Sequence, residues 1–149
     1  MNLLLVVLSV FAVLSGGWLV FERRWDRRHF RNGPSGGFVV NLRARKAERL
    51  LREEPETVVL DVRPAASWRA ARLPGAANAP FAMDGGGFEA GSLEGVPRER
   101  PLLVYCDGGF RSRLALAALR EAGFHRIHHL HRGLMSWRIA AFPVETGDG

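Results

Sequence analysis

The sequence predicts an α/β protein with a single domain, in which a mostly parallel sheet carries helices on both faces and follows one transmembrane helix. From Phe38 onward, short apolar strands alternate with helical patterns, which is typical of a parallel sheet covered on both sides. The nearly continuous β-branched run Thr57–Val62 indicates a strand buried on both faces. Asn2–Phe21 holds no charge and is about as long as a helix that crosses a bilayer.

Charge is concentrated near the N-terminus. The chain of 149 residues has a net charge of +6, and residues 22–32 hold five arginines against Glu22 and Asp26. The remaining surplus is spread over the domain, which is therefore only mildly basic. A nucleic-acid surface would need a basic face with interleaved aromatic residues, so nucleic acid is not expected as a partner.

The arginine cluster directly follows the apolar run, as positive flanks do on the cytoplasmic side of a membrane span. No lysine or arginine precedes the run. We therefore expect a single-pass anchor with the domain in the cytoplasm, where a reducing environment preserves a lone thiol. The alternative is a cleaved signal peptide ending near Ser15 and Gly17, although a basic region before the apolar run is missing.

Four segments follow from this pattern. Residues 1–21 form the transmembrane helix, 22–37 a basic juxtamembrane segment with a glycine-rich linker, 38–146 the domain and 147–149 a tail. Within the domain, hydrophobic periodicity and Gly/Pro signals predict the elements in order. They are strand Phe38–Leu42, helix Arg43–Glu53, strand Thr57–Val62, helix Ala65–Ala71, a short edge strand within Leu73–Pro80, a mobile loop Met83–Val96, strand Pro101–Tyr105, helix Ser112–Ala122, strand Phe124–Leu130 and helix Gly133–Ala140.

The candidate site is the loop Cys106–Ser112, which follows an apolar strand and precedes a helix. A glycine pair permits a tight turn whose backbone N–H groups converge on an anion, with a helix N-terminus behind them. Cys106 is the only cysteine, and such a setting turns a thiol into a nucleophile. Ligands of parallel sheets bind at the carboxyl ends of the strands, where this loop lies. The competing interpretation is a buried structural thiol.

Five segments in order resemble the rhodanese family of sulfurtransferases. They are Val59–Arg63, Leu73–Asn78, the cysteine loop, Gly133–Trp137 and Phe142–Val144. The resemblance spans Phe38 to Glu145 and implies the same fold. It also implies that Cys106 is the catalytic residue, which carries sulfur as a persulfide without any cofactor.

The remaining loop residues take their roles from the same resemblance. The backbone N–H groups from Asp107 to Arg111 would hold the outer sulfur, and Arg111 would hold the loop or an anionic donor. Apart from the resemblance, we expect Asp61 and Arg63 to support the site structurally from its rim rather than to take part in the chemistry. The substrate-binding set is Asp107, Gly108, Gly109, Phe110, Arg111 and Ser112.

Loop length separates this chain from related phosphatases. Four residues lie between Cys106 and Arg111, one fewer than phosphatases use to enclose a tetrahedral phosphate. Sulfur chemistry therefore fits better than hydrolysis of a phosphate ester. Asp107 departs from the family pattern. Its carboxylate lies beside the cysteine, where it opposes the loop dipoles and repels thiosulfate.

His125, His128, His129 and His131 form a local cluster, but no carboxylate or cysteine accompanies them. We interpret them as solvated or hydrogen-bonded histidines and expect no metal site.

The sequence thus predicts a sulfurtransferase that passes sulfur from a small donor, with thiosulfate-like chemistry, to a small thiol or an acceptor protein. The alternative is a membrane-tethered rhodanese-like module that binds a partner or senses redox state, which Asp107 favours.

Overall fold

A computed structural model of the protein describes residues 3–29 and 38–147. The helices are α1 (Leu3–His29), α2 (Ala44–Glu53), α3 (Ala65–Ala70), α4 (Phe110–Glu121) and α5 (Gly133–Ile139). The strands are β1 (Phe38–Leu42), β2 (Val58–Asp61), β3 (Ala77–Asn78), β4 (Phe81–Ala82), β5 (Gly87–Phe88), β6 (Leu102–Tyr105) and β7 (Arg126–Leu130). α1 belongs to one compact unit, Met1–Arg31, and all the other elements belong to a second, Asn32–Gly149.

The main sheet has five strands in the order β1-β7-β6-β2-β3, and every neighbouring pair is parallel. The predicted α/β class with a mostly parallel sheet is therefore confirmed. β6 lies at the centre, and its register sets Tyr105 beside Asp61 of β2. The carboxyl ends of these two strands consequently bring Cys106 close to Asp61 and Arg63.

Helices cover both faces of the sheet, which explains the continuous apolar strands. On β6, Leu103 and Tyr105 belong to the core cluster that includes Ala47 of α2 and Trp137 of α5. Leu102 and Val104 alternate with them and are also fully buried, on the face that α4 covers. A strand buried on both faces has no solvent side on which charge could be tolerated.

The N-terminal segment differs from the expected anchor. One helix begins at Leu3 and continues past Phe21 to His29, so the apolar run and the arginine-rich run form a single element. None of the helices in the described part of the chain combines the length and the apolar character that a membrane crossing requires. The transmembrane anchor over residues 1–21 is therefore not supported, and the cytoplasmic location remains a sequence prediction. The predicted linker at residues 32–37 lies outside the described residues.

Two boundaries inside the domain also differ from the prediction. Met83–Val96 was expected to be a loop, but Gly87 and Phe88 form β5, which pairs antiparallel with β4. The Phe81 and Phe88 rings meet edge to face with centroids 5.0 Å apart, and this contact closes the hairpin. α4 begins at Phe110, two residues before the predicted Ser112, because Gly109 already caps the helix.

Candidate active site

The cysteine loop turns sharply because Gly109 has a left-handed conformation. Its φ is +92°, and it is the N-cap residue of α4. A Cβ at this position would lie 3.1 Å from the backbone nitrogen of Arg132. Glycine alone satisfies both the backbone angle and the close approach, so the chain passes from β6 to α4 within four residues of Cys106.

The first turn of α5 is hydrogen-bonded to the cysteine loop. Leu134 N donates to the Cys106 carbonyl at 2.8 Å, and Met135 N donates to the Asp107 carbonyl at 3.0 Å. Gly133 permits this approach, because a Cβ there would overlap the Cys106 carbonyl and come within 2.7 Å of the Asp107 carbonyl oxygen. The start of α5 thus provides hydrogen-bond partners for the first two carbonyls of the loop.

Hydrogen-bond donors surround the Cys106 sulfur. Gly109 N lies 3.1 Å from Sγ, Ser112 N lies 3.5 Å away, and Ser112 Oγ lies 3.4 Å away. Cys106 is only 3% exposed. Amides at a helix N-terminus stabilise negative charge on sulfur, so the site suits a thiolate nucleophile or a sulfur that carries a second sulfur.

Arg63 links the two acidic residues of the site. Its guanidinium lies 2.6 Å from the buried Asp61 carboxylate and 2.8 Å from Asp107 Oδ1, while the Arg63 side chain is only 4% exposed. Burial acts to lower the pKa of Arg63, but hydrogen bonds and charge attraction from Asp61 and Asp107 outweigh it, so this pKa lies above its ordinary value. The guanidinium therefore stays charged and offsets the negative charge of Asp107 beside the cysteine.

Arg111 contacts the neighbouring hairpin. Its Nη1 donates to the Phe81 carbonyl at 3.1 Å, which ties the start of α4 to the β4–β5 hairpin. Phe110, the first residue of α4, is exposed. Asp107 and Gly108 line a depression of about 450 Å³. Leu134, Met135, Arg138 and Ile139 complete its walls. The structure therefore brings the cysteine, the loop, Asp61 and Arg63 together, and gives Arg111 a structural contact.

His129 and Asn41, which lie behind the predicted site residue Ser112, were not among the residues predicted for the site. Ser112 Oγ lies 2.8 Å from His129 Nε2, and His129 Nδ1 lies 2.9 Å from Asn41 Oδ1. The pKa of His129 is lowered to about 3, mainly by burial. Arg113 and, less strongly, His131 lower this pKa further, whereas the Gly109 carbonyl raises it. The ring is therefore neutral. A signal existed, because His129 follows the core residue Ile127 by two positions on one strand.

Within residues 3–29 and 38–147, no group of histidine, cysteine or acidic side chains is placed to hold a metal ion. His129 is instead occupied by hydrogen bonds to Ser112 and Asn41.

Comparison with known proteins identifies the domain. Residues 44–140 match the family model of the rhodanese-like domain. A thiosulfate sulfurtransferase of Pseudomonas putida is 32% identical over 99 residues, which cover 66% of this chain and 84% of that protein. An HTH-type transcriptional regulator of Mycobacterium tuberculosis is 33% identical over 105 residues, or 68% of this chain and 44% of the regulator.

A solved structure agrees with the fold. The rhodanese-like domain of a protein from Anabaena superimposes with a TM-score of 0.58 at 25% identity, covering 75% of this chain and 80% of that one. The chain spans between 19% and 50% of the length of the first curated relatives that it matches. The likeness is thus one of domains. Since the parallel sheet, the cysteine loop and the family match agree, this chain belongs to the family of proteins with a rhodanese-like domain.

Proposed function

We propose that the protein is a sulfurtransferase that carries sulfane sulfur as a persulfide on Cys106. The observation that carries the proposal is the convergence of Gly109 N, Ser112 N and Ser112 Oγ on the cysteine sulfur within 3.5 Å. Relatives named as sulfurtransferases, which are 32% to 34% identical over the aligned residues, support sulfur transfer as the general activity.

The first step is a displacement at sulfur. The Cys106 thiolate attacks the sulfane sulfur of a donor, a new S–S bond forms on Cys106, and the donor's own S–S bond breaks. The electron pair of that bond departs with the remainder of the donor, which is sulfite when the donor is thiosulfate. The outer sulfur then bears the negative charge, which the loop N–H groups stabilise.

The second step returns the cysteine to its starting state. An external thiolate attacks the outer sulfur and forms a persulfide of its own, and the Cys106 thiolate leaves with the electron pair. Because Cys106 is the only cysteine in the sequence, the chain has no second thiol with which to resolve its persulfide as a disulfide. The acceptor is therefore a small thiol or a cysteine of another protein.

The charge balance of the site bears on the donor. Asp107 favoured a non-catalytic module, because its carboxylate opposes an anionic donor. Its Oδ1 atom lies 2.8 Å from Arg63, which offsets this charge. The pairing weakens the repulsion of an anionic donor such as thiosulfate, although Arg63 also pairs with Asp61 and the three groups together keep one negative charge.

Sulfur transfer by the full-length protein tests the proposal. We expect the wild type to transfer sulfur from thiosulfate, or from another sulfane donor of a small panel, to a thiol. Cys106→Ser should transfer none while remaining folded. Equal rates in the wild type and in Cys106→Ser, or no transfer with every donor, would overturn the proposal.

A further inference from the structure

A basic depression lies at the same edge of the sheet as the cysteine loop. It has a volume of about 870 Å³, and its walls come mainly from the residues that follow β1 and β7 and from α5. The strands of the main sheet are parallel, so the residues that follow β1, β7 and β6 meet at one edge. The arginine and lysine residues of the basic depression are Arg43, Arg45, Lys46 and Arg132, and none of the described residues that line it is acidic.

Distance separates most of these cations from a small molecule at the sulfur. Arg43, Arg45 and Lys46 follow β1, and β7 lies between β1 and the strand β6 that leads to Cys106. Two strand spacings amount to about 10 Å, which is farther than a small donor held by the loop amides extends. A standard protein interface buries about 800 Å² on each partner, a patch about 16 Å in radius, and so covers both the sulfur and these cations.

The charges at this edge of the sheet are separated. On the β2 side of the cysteine, Asp61, Arg63 and Asp107 together keep one negative charge. On the β7 side, the four cations of the basic depression are exposed and form no ion pair within the described residues. The surface therefore fits a large partner whose acidic groups lie some distance from the group that reacts with Cys106.

Three of these cations stand where the backbone disfavours them. Arg45 and Lys46 lie in the first turn of α2, which holds no acidic residue, and cations at that end oppose the helix dipole. Arg132 has a φ of +56°, a conformation that favours glycine over residues with a side chain. Local departures of this kind concentrate at functional sites.

An exposed face of α5 joins the basic depression to the cysteine loop. Met135 and Ile139 are one helical turn apart and are 48% and 80% exposed. Both line the smaller depression beside Asp107 and Gly108, and Ile139 also lines the basic depression. An exposed apolar face with a charged rim is typical of a surface that binds another protein.

We propose that the basic depression and the exposed face of α5 dock an acceptor protein that presents its cysteine on a segment with acidic residues. The inference rests on the proposed function, since the docked cysteine takes the sulfur that Cys106 carries. The acceptor thiolate attacks the outer sulfur and forms a persulfide, and the Cys106 thiolate leaves with the electron pair. The acidic residues contact the basic depression about 10 Å from the acceptor cysteine, a distance that about three residues of extended chain cover.

Transfer of sulfur from the loaded full-length protein to synthetic peptides tests the inference. One peptide carries a cysteine with two glutamates three and four residues away from it, and the other carries glutamines at those places. We expect the acidic peptide to accept sulfur about tenfold faster than the glutamine peptide at low salt. In about 0.5 M sodium chloride the preference should fall below about twofold, because salt screens exposed charges. Uncharged 2-mercaptoethanol measures transfer without docking.

The double variant Arg45→Gln/Lys46→Gln removes two cations of the basic depression. Its preference for the acidic peptide should fall to about threefold or less, while transfer to 2-mercaptoethanol keeps the wild-type rate. Its stability in urea should at least equal that of the wild type, because these cations oppose the helix dipole. Arg100→Gln/Arg120→Gln is the matched control, since it removes two exposed arginines that lie just before β6 and at the end of α4, at the opposite edge of the sheet. It should keep the tenfold preference.

Three results would overturn the inference. They are equal transfer to the two peptides, a preference that Arg45→Gln/Lys46→Gln retains, and binding to phosphatidylserine vesicles that this variant loses while neither peptide is preferred. The first two would leave sulfur transfer itself intact. Fluorescence anisotropy of the same peptides, labelled and with serine in place of cysteine, measures docking without sulfur. Tighter binding of the acidic peptide that the variant loses, in a protein that no donor can load, would sustain this inference while refuting the proposed function.

Discussion

Asp107 illustrates at the scale of single residues how the structure changes the meaning of a sequence feature. Its carboxylate follows the reactive cysteine and is 73% exposed, while its partner Arg63 is 4% exposed and also binds the buried Asp61. Strand register explains this arrangement, because β2 and β6 end side by side. A sequence shows the three charges but not their distances, so it does not show which arginine compensates Asp107.

Neutralising Asp107 should improve turnover of an anionic donor. Asp107→Asn removes a negative charge close to the approaching donor, which is worth about 1 kcal/mol in a solvated setting, or roughly a fivefold higher kcat/KM for thiosulfate. Stability should change by less than about 1 kcal/mol because the pair is largely exposed on the aspartate side. Steady-state kinetics at low and high salt would measure both the gain and its screening.

Glu54→Gln is the matched control for that substitution. It removes a carboxylate that pairs with Arg126 at 2.9 Å, at the amino end of the sheet and away from the cysteine. Its kcat/KM should equal that of the wild type. A lower kcat/KM in Asp107→Asn would indicate that the carboxylate assists the reaction.

At the scale of elements, the site depends on two connections that meet beneath the cysteine loop. Gly109 ends the turn into α4, and Gly133 opens α5 where its first amides hold the carbonyls of Cys106 and Asp107. The sequence predicted both helices and the strands β1, β2, β6 and β7, since their apolar patterns are long. It did not predict the β4–β5 hairpin, because strands of two residues carry no period that a pattern could reveal.

Replacing Gly133 by alanine should separate α5 from the loop. The added Cβ would overlap the Cys106 carbonyl, so either the loop or the helix must shift. We expect the free energy of unfolding to fall by about 3 kcal/mol or more, with loss of sulfur loading on Cys106. Urea unfolding and intact mass of the loaded protein would measure the two effects.

Gly75→Ala is the control variant that separates the effect of the steric overlap at Gly133 from the effect of backbone strain. Gly75 also has a positive φ, of +69°, but open space surrounds the position of its Cβ. This variant should lose only about 1 kcal/mol, the cost of a left-handed conformation for a residue with a side chain. Equal losses for the two variants would mean that the contact between α5 and the loop contributes little.

At the scale of the whole molecule, a buried neutral histidine links stability to pH. His129 is fully buried, and burial lowers its pKa to about 3 from the ordinary value of 6.5. Between these two values the unfolded chain binds a proton that the folded protein excludes, so the free energy of unfolding decreases as the pH falls through this interval. Above pH 6.5 the contribution is fully present.

The contribution of His129 should therefore be measurable in the pH dependence of the free energy of unfolding. We expect the wild type to lose a few kcal/mol of stability between about pH 6.5 and pH 3. His129→Phe should lose distinctly less over the same interval, whatever its stability at neutral pH. Urea unfolding at several pH values would measure the slopes, and parallel slopes in the two proteins would show that His129 is not the group responsible.

For the whole molecule, the sequence predicted the fold class and the family but not the N-terminal segment or the contacts of His129. The alternation of elements indicated the parallel sheet, and five ordered segments indicated the family that residues 44–140 match. The expected membrane anchor rested on the length of the uncharged run Asn2–Phe21 and on the arginine cluster that follows it, and it is not supported by the structure. For His129, the sequence predicted only one of a set of solvated or hydrogen-bonded histidines. Its partners could not be identified, because Ser112 and Asn41 lie 17 and 88 positions away along the chain.

Intact mass spectrometry of the full-length protein would measure directly whether Cys106 holds sulfur as a persulfide. After incubation with thiosulfate or another sulfane donor, we expect a gain of one sulfur atom that maps to the peptide containing Cys106. The gain should disappear on addition of a thiol and be absent in Cys106→Ser. If the wild type gains no sulfur from any donor, or if Cys106→Ser gains as much sulfur as the wild type, Cys106 does not carry sulfur in this way.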